Sequence, residues 1–190
     1  MAIDPTETSK LADTKRRTAS WNTSAAAALL GTLRAAPVTV RAAGPGPAPR
    51  DSFLGQLAGR WTLIGTVLGK PVRYRGDGMW VLNDGWLRLA LVDRGKPPAY
   101  QADVYLGFDP KTDEYIAHWL DRFGAAGARV VATGRRDGQT LVLLFPYESS
   151  PFRGTLTLAP DGLTGSSLLE SQKADGTWST FASYTLRRRR

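Results

Sequence analysis

The chain of 190 residues has no cysteine and one histidine, His118. The first absence excludes disulfides, zinc–thiolate sites, iron–sulfur clusters, thiol nucleophiles and a cysteine-linked lipid anchor. The second leaves all imidazole chemistry to one side chain. No apolar stretch approaches the ~18 residues of a membrane span, so the folded part is expected to be soluble. No Gly-x-Ser-x-Gly elbow is present to activate a serine beside His118. Scattered carboxylates without further histidines give no metal-ligand pattern. Asp109, Asp113 and Glu114 do cluster, but Asp-Pro-Lys-Thr-Asp is ordinary turn chemistry. Gly134 and Gly138 belong to a hairpin signal, not a phosphate loop.

The formal charge of +8 points to nucleic acid until it is mapped along the chain. Residues 1–50 carry seven Lys/Arg against three Asp/Glu, residues 51–186 carry fourteen of each, and residues 187–190 are four arginines. The excess therefore lies in the two tails. A nucleic-acid binder carries its basic stripe on the folded domain, so no nucleic-acid partner is expected. Arg187–Arg190 is taken as a solvated terminus.

The chain divides into two regions. Residues 1–50 are rich in Ala, Thr, Ser, Arg and Pro, with no acid between Asp13 and Asp51. Gly44-Pro45-Gly46-Pro47-Ala48-Pro49 cannot hold a helix or central strand and reads as a linker. Upstream, Lys15-Arg16-Arg17 followed by Ala25–Leu33 forms a degraded export-signal pattern. Its apolar run is short and Arg34 breaks the segment after it, so a disordered leader, and with it a cytoplasmic site, is preferred to export.

From Asp51 the pattern changes. Asp51 can cap a short helical turn with Phe53, Leu54 and Leu57 on one apolar face. Then come strand-like runs near 60–68, 71–82, 85–93, 98–108, 113–121, 128–136, 139–147, 152–159, 163–173 and 177–187. The breaks are Asp77-Gly78, Asn83-Asp84-Gly85, Asp109-Pro110, Asp137-Gly138, Asp161-Gly162 and Asp175-Gly176, mostly pairs that supply the positive φ of tight hairpins. Ten strands on short turns leave no room for crossover helices, and residues 51–188 are expected to form an up-and-down antiparallel β-barrel closed at one end by the helical turn. Gly59-Arg60-Trp61 opens the first strand and Tyr184-Thr185-Leu186-Arg187 closes the last. A guanidinium at the last strand's end, stacked on that indole, would lock the barrel's seam, which assigns Gly59, Trp61 and Arg187 a structural role.

Alternation assigns faces. Tyr100, Ala102, Val104, Leu106 and Phe108 share one side of their strand; Val72, Tyr74, Trp80 and Leu82 share another; so do Leu141, Leu143, Phe145 and Tyr147. These sets are the expected interior. Both parities are apolar in Leu141–Phe145 and Trp86–Val92, which suggests outer cover by the leader, a loop or a second subunit in a homodimer.

From about Phe53 to Arg187 the chain resembles a bacterial family of unknown function with a lipocalin-like (calycin) barrel. The likeness rests on Leu57-Ala58-Gly59-Arg60-Trp61, Leu106-Gly107-Phe108-Asp109 with Tyr115 and His118-Trp119-Leu120-Asp121, Gly134-Arg135-Arg136-Asp137-Gly138 and the closing Tyr184–Arg187. It implies the barrel and an apolar cavity, and no assigned activity. A more distant likeness is to the haem-binding nitrobindin barrels, which also start on Gly-x-Trp; their proximal histidine lies late in the chain, where this sequence has none.

The expected function is non-catalytic binding of a small hydrophobic or amphipathic molecule inside the barrel, lined by Tyr74, Trp80, Tyr100, Ala102, His118, Phe145 and Tyr147. His118 shares a face with Ile116 and Leu120. Turned inward it could ligate haem iron or act as a base, but a structural role hydrogen-bonded to a neighbouring strand is preferred. No metal, cofactor or catalytic residue is assigned beyond that. The alternatives are a haem barrel using His118, a cyclase or isomerase with Tyr and Asp as acid and base, and a dimerising module.

Overall fold

A computed structural model describes residues 49–190; the leader and export-signal readings of residues 1–48 lie outside the described residues. Asp51 accepts the Leu54 N–H at 2.8 Å and caps α1 (Ser52–Gly55). The turn does what its three apolar residues require: Phe53, Leu54 and Leu57 are each 1% exposed, driven into one end of the core.

Ten antiparallel strands come next, in order: β1 (Gly59–Val67), β2 (Lys70–Val81), β3 (Trp86–Asp93), β4 (Gln101–Asp109), β5 (Glu114–Asp121), β6 (Val131–Asp137), β7 (Thr140–Phe145), β8 (Phe152–Leu158), β9 (Thr164–Gln172) and β10 (Trp178–Arg188). Each pairs with its neighbours in sequence, and β1 pairs with β10, so the sheet closes on itself and leaves no edge. All ten expected strands are present. β4 starts late because Lys96-Pro97-Pro98 cannot join a ladder, and β6 starts late because Gly127–Arg129 forms a 3-10 turn.

The turns obey the Asp-Gly signals with one exception. Leu82, Asn83 and Asp84 hold φ of 51°, 56° and 65° between β2 and β3. Asp77-Gly78, read as a break, lies inside β2. Gly78 is there for a different reason: a Cβ would stand 2.1 Å from the Leu57 carbonyl oxygen, where the chain leaving α1 crosses the strand.

Inward and outward positions alternate as the pattern requires. Tyr74, Gly76 and Gly78 are buried between exposed Arg73, Arg75 and Asp77, and Leu141, Leu143 and Phe145 are buried between exposed Val142 and Leu144. Leu82 is not part of the interior: it leaves β2 into the turn and is exposed. The outer face of β3 is covered locally. Trp86 lies over Gly107 of β4, where a Cβ would meet the indole at 3.0 Å, and Arg88 pairs with Asp103 at 2.8 Å.

The helix end is packed solid. Trp61 is 1% exposed and donates from Nε1 to the Leu57 carbonyl at 2.9 Å. Phe53 meets Tyr115 edge-on at 6.0 Å, and the Tyr115 hydroxyl reaches the Asp51 carboxylate at 3.3 Å. The cation over Trp61 belongs to Arg188, not to Arg187. Its guanidinium sits 4.5 Å from the indole centroid and donates to the carbonyls of Ala58 (2.7 Å), Gly162 (3.0 Å) and Gln56. Register decides this: Trp61 pairs with Arg188 and Thr62 with Arg187, so Arg187 faces outward. Gly59, at φ 102°, leaves the room, since a Cβ would stand 3.0 Å from the Arg188 guanidinium. The C-terminal arginines are thus solvated only in part: β10 runs through Arg188, whose side chain packs on Trp61, and the Arg189 N–H donates to the Arg60 carbonyl at 2.7 Å, while the side chains of Arg187, Arg189 and Arg190 are exposed.

Candidate functional site

The end opposite α1 is different in kind. There inward positions of β2, β5, β7, β8 and β10, with Tyr100 just before β4 and Tyr147 just after β7, bring aromatic rings into two clusters. Tyr74 contacts Tyr100 at 5.6 Å and Tyr184 at 5.8 Å between centroids. Trp119 meets Phe145 at 6.4 Å, Phe145 stacks on Tyr147 at 6.3 Å, and Tyr147 meets Phe152 at 5.9 Å.

The polar tips are connected. Trp119 Nε1 donates to the Tyr100 hydroxyl at 2.9 Å, and that hydroxyl donates in turn to the Asp121 carboxylate at 3.4 Å. Burial pushes the Tyr100 and Tyr184 phenols well above their ordinary range, and nearby Asp121 and the neighbouring tyrosines push the same way. Tyr74 is raised too, by burial first and then by Asp93. These phenols therefore stay protonated at any physiological pH and act as hydrogen-bond donors and acceptors, not as bases.

A cleft of about 510 Å³ opens at this end, lined by Val72, Tyr74, Asp93, Ala99 and Tyr100 and, from the outer wall, by Ile64, Pro71 and Arg73. One wall is the 94–100 loop. Asp93 fixes it by accepting the N–H groups of Ala99 (3.0 Å) and Gly95 (3.2 Å), and the Ala99 contact leads in holding the Asp93 carboxyl below its usual range. Arg122 braces the same loop, donating to the Pro98 carbonyl at 3.3 Å.

The seven expected ligand-facing residues do not fall together. Tyr74 and Tyr100 line the cleft; Ala102 and Phe145 are in the core and Tyr147 packs against it, none of the three lining the cleft. Trp80 is inward but at the far end, under the Arg50 guanidinium at 5.6 Å. His118 is outside the barrel. Tyr115, Ala117 and Trp119 take the inward positions of β5, so Ile116, His118 and Leu120 face out. There the His118 Nε2 donates to the Ala128 carbonyl at 2.7 Å and ties the 3-10 turn to the wall. An imidazole on the outer wall, with one nitrogen given to a carbonyl, does not fit an axial haem ligand within the barrel.

Trp119, Tyr184, Asp121 and Asp93 also belong to the site and are not among the seven expected ligand-facing residues. The parity of Tyr115, Ala117 and Trp119 was a usable signal for Trp119. For Asp93 there was none, because its role depends on a loop folding back.

These features define a closed ten-stranded antiparallel barrel with one plugged end and one aromatic mouth. No family model matches the sequence, and a search of curated proteins finds no relative. Among solved structures, the crystal structure of Rv2717c from M. tuberculosis is similar with a TM-score of 0.53 at 14% identity, covering 75% of this chain and 100% of that one. At that identity the similarity shows the barrel fold.

Proposed function

We propose that this protein binds one small amphipathic molecule at the mouth of the barrel, without catalysis, in the manner of a lipocalin. The observation that carries the reading is the 510 Å³ cleft with Tyr74 and Tyr100 in its lining. Its size suits a small ligand, since such sites run to roughly 300–1,000 Å³. The apolar part of the ligand lies against Val72 and the ring faces. Its polar group meets the Tyr74 and Tyr100 hydroxyls at the rim. Affinity comes from burying apolar surface at about 25 cal/mol per Å², less the cost of immobilisation.

The test is a native mass spectrum of the full chain against its denatured mass, followed by titration with Nile red, a neutral apolar probe. A bound adduct or saturable probe uptake, lost in Ala99→Trp, supports the reading. An apo mass together with no probe uptake overturns it. The same spectrum reads oligomeric state: a dimer would favour cover of exposed Val142 and Leu144 by a second copy.

A further inference from the structure

The second cleft is on the outside of the barrel. Outward positions of β2, β1 and β10 place Arg73 and Arg75, then Arg60, Thr62 and Ile64, then Thr185, Arg187 and Arg189 side by side. Register sets the pattern: Ile64 lies between Arg73 and Thr185, and Thr62 between Arg75 and Arg187. Two arginine rows thus flank β1, roughly 10 Å apart, with side chains long enough to converge over it. Between them is a cleft of about 380 Å³, lined by Thr62, Ile64, Thr185, Arg73, Arg187 and Arg189.

The charge here is uncompensated. Some arginines elsewhere on the barrel stand on acids, Arg88 on Asp103, Arg153 on Glu170 and Arg135 near Asp113 and Glu114. None of Arg60, Arg73, Arg75, Arg187 or Arg189 forms an ion pair among the described residues. Asp77, opposite Arg60 at the far end of the patch, is the one carboxylate on these outward positions. The Arg188 guanidinium is engaged by neutral carbonyls, so its charge adds to the same field. Guanidiniums on both sides of the cleft, each able to make a bidentate contact, beside the hydroxyls of Thr62 and Thr185, are complementary to phosphate oxygens. No aromatic side chain lines the cleft, so bases have nothing to stack on, and the size suits a small ligand rather than a strand.

We propose that this outer cleft is a binding site for a small molecule carrying adjacent phosphate groups. The site adjoins the mouth cleft, with which it shares Ile64 and Arg73, and differs from it in the Arg187 and Arg189 side, which the mouth lacks.

Inorganic pyrophosphate, which has no apolar part, is the probe, titrated into the full-length protein by calorimetry at low and at physiological salt. Saturable one-to-one binding is expected, weakened about tenfold or more in Arg187→Glu/Arg189→Glu. The control Arg129→Glu/Arg135→Glu changes net charge equally on a different part of the barrel and is expected to bind as the parent does. Near-ultraviolet circular dichroism verifies folding of each variant, and Arg187→Gln serves should the double reversal unfold. Equal loss in both doubles, or no saturable heat, overturns the proposal. So does binding only to a single-stranded oligonucleotide or to phosphatidylglycerol vesicles, which would make the patch a surface for a polyanion. Nile red uptake is read in the same samples, so loss of pyrophosphate binding with retained uptake separates this site from the mouth.

Discussion

The Arg188 guanidinium lies 4.5 Å over the Trp61 indole and donates to the carbonyls of Ala58, Gly162 and Gln56. One side chain from the last strand thus holds the first strand, the segment leaving α1 and the β8–β9 turn. Arg188→Ala removes the cation–π contact and leaves three carbonyls short of a donor, a loss of about 2–4 kcal/mol in urea unfolding. Arg187→Ala, one residue away but outward, stays within about 0.5 kcal/mol.

Two glycines give opposite results on replacement by alanine. At Gly78 the new Cβ would stand 2.1 Å from the Leu57 carbonyl oxygen, which forces α1 off its seat. A loss of about 3 kcal/mol is expected, seen as a lower melting temperature. At Gly55 a Cβ meets nothing within 4 Å and φ is not positive, so Gly55→Ala stabilises by about 0.5 kcal/mol.

Alkaline pH should open the mouth end first. The Tyr100 and Tyr184 phenols have their pKa raised in the folded state above the ordinary 10.0. The folded protein then holds those protons where the unfolded chain releases them. Their contribution is complete below about pH 10 and is lost as pH climbs past it, with a slope of up to about 1.4 kcal/mol per pH unit for each group. Urea midpoints at rising pH, with phenolate absorbance recorded in parallel, measure this; Tyr184→Phe flattens the slope.

Tyr100→Phe tests the hydrogen-bond chain at the mouth. It leaves the Trp119 indole N–H without its 2.9 Å acceptor. A loss of about 1–2 kcal/mol is expected, with weaker retention of a polar-headed ligand and little change for Nile red.

His118→Gln should cost about 1 kcal/mol, the worth of one hydrogen bond to Ala128, and increase amide exchange in the 122–130 loop. Haem titration should give the same visible spectrum in parent and variant. A Soret band that depends on His118 would contradict the outward placement.

Much of the fold was legible because a barrel built of hairpins writes itself locally. Asn83-Asp84-Gly85, Asp137-Gly138, Asp161-Gly162 and Asp175-Gly176 mark turns, and the Ala102–Phe108 alternation marks a face. What was not legible depends on one-residue register. Arg187 and Arg188 are identical in type, and only the β1–β10 ladder says which one points at Trp61. His118 was ambiguous because β5 is apolar on both sides, its outer side being covered by the 122–130 loop. Asp77-Gly78 looked like a turn because a glycine needed for close backbone approach cannot be told by sequence from one needed for positive φ. The mouth's aromatics could be named as a class, but the Asp93-held loop that makes the cleft is tertiary information.

Nine of the ten strand pairings join neighbours in sequence, and only β1–β10 spans the domain. That pairing closes the longest loop, so it carries the greatest entropic cost and is the natural place for the cylinder to unzip. The outer cleft straddles it, with Arg73 on one side and Arg187 and Arg189 on the other. Any anion gripped there ties β2 to β10 across β1, and its occupancy should be readable as slower amide exchange along the β1–β10 and β1–β2 ladders while the other eight remain unchanged.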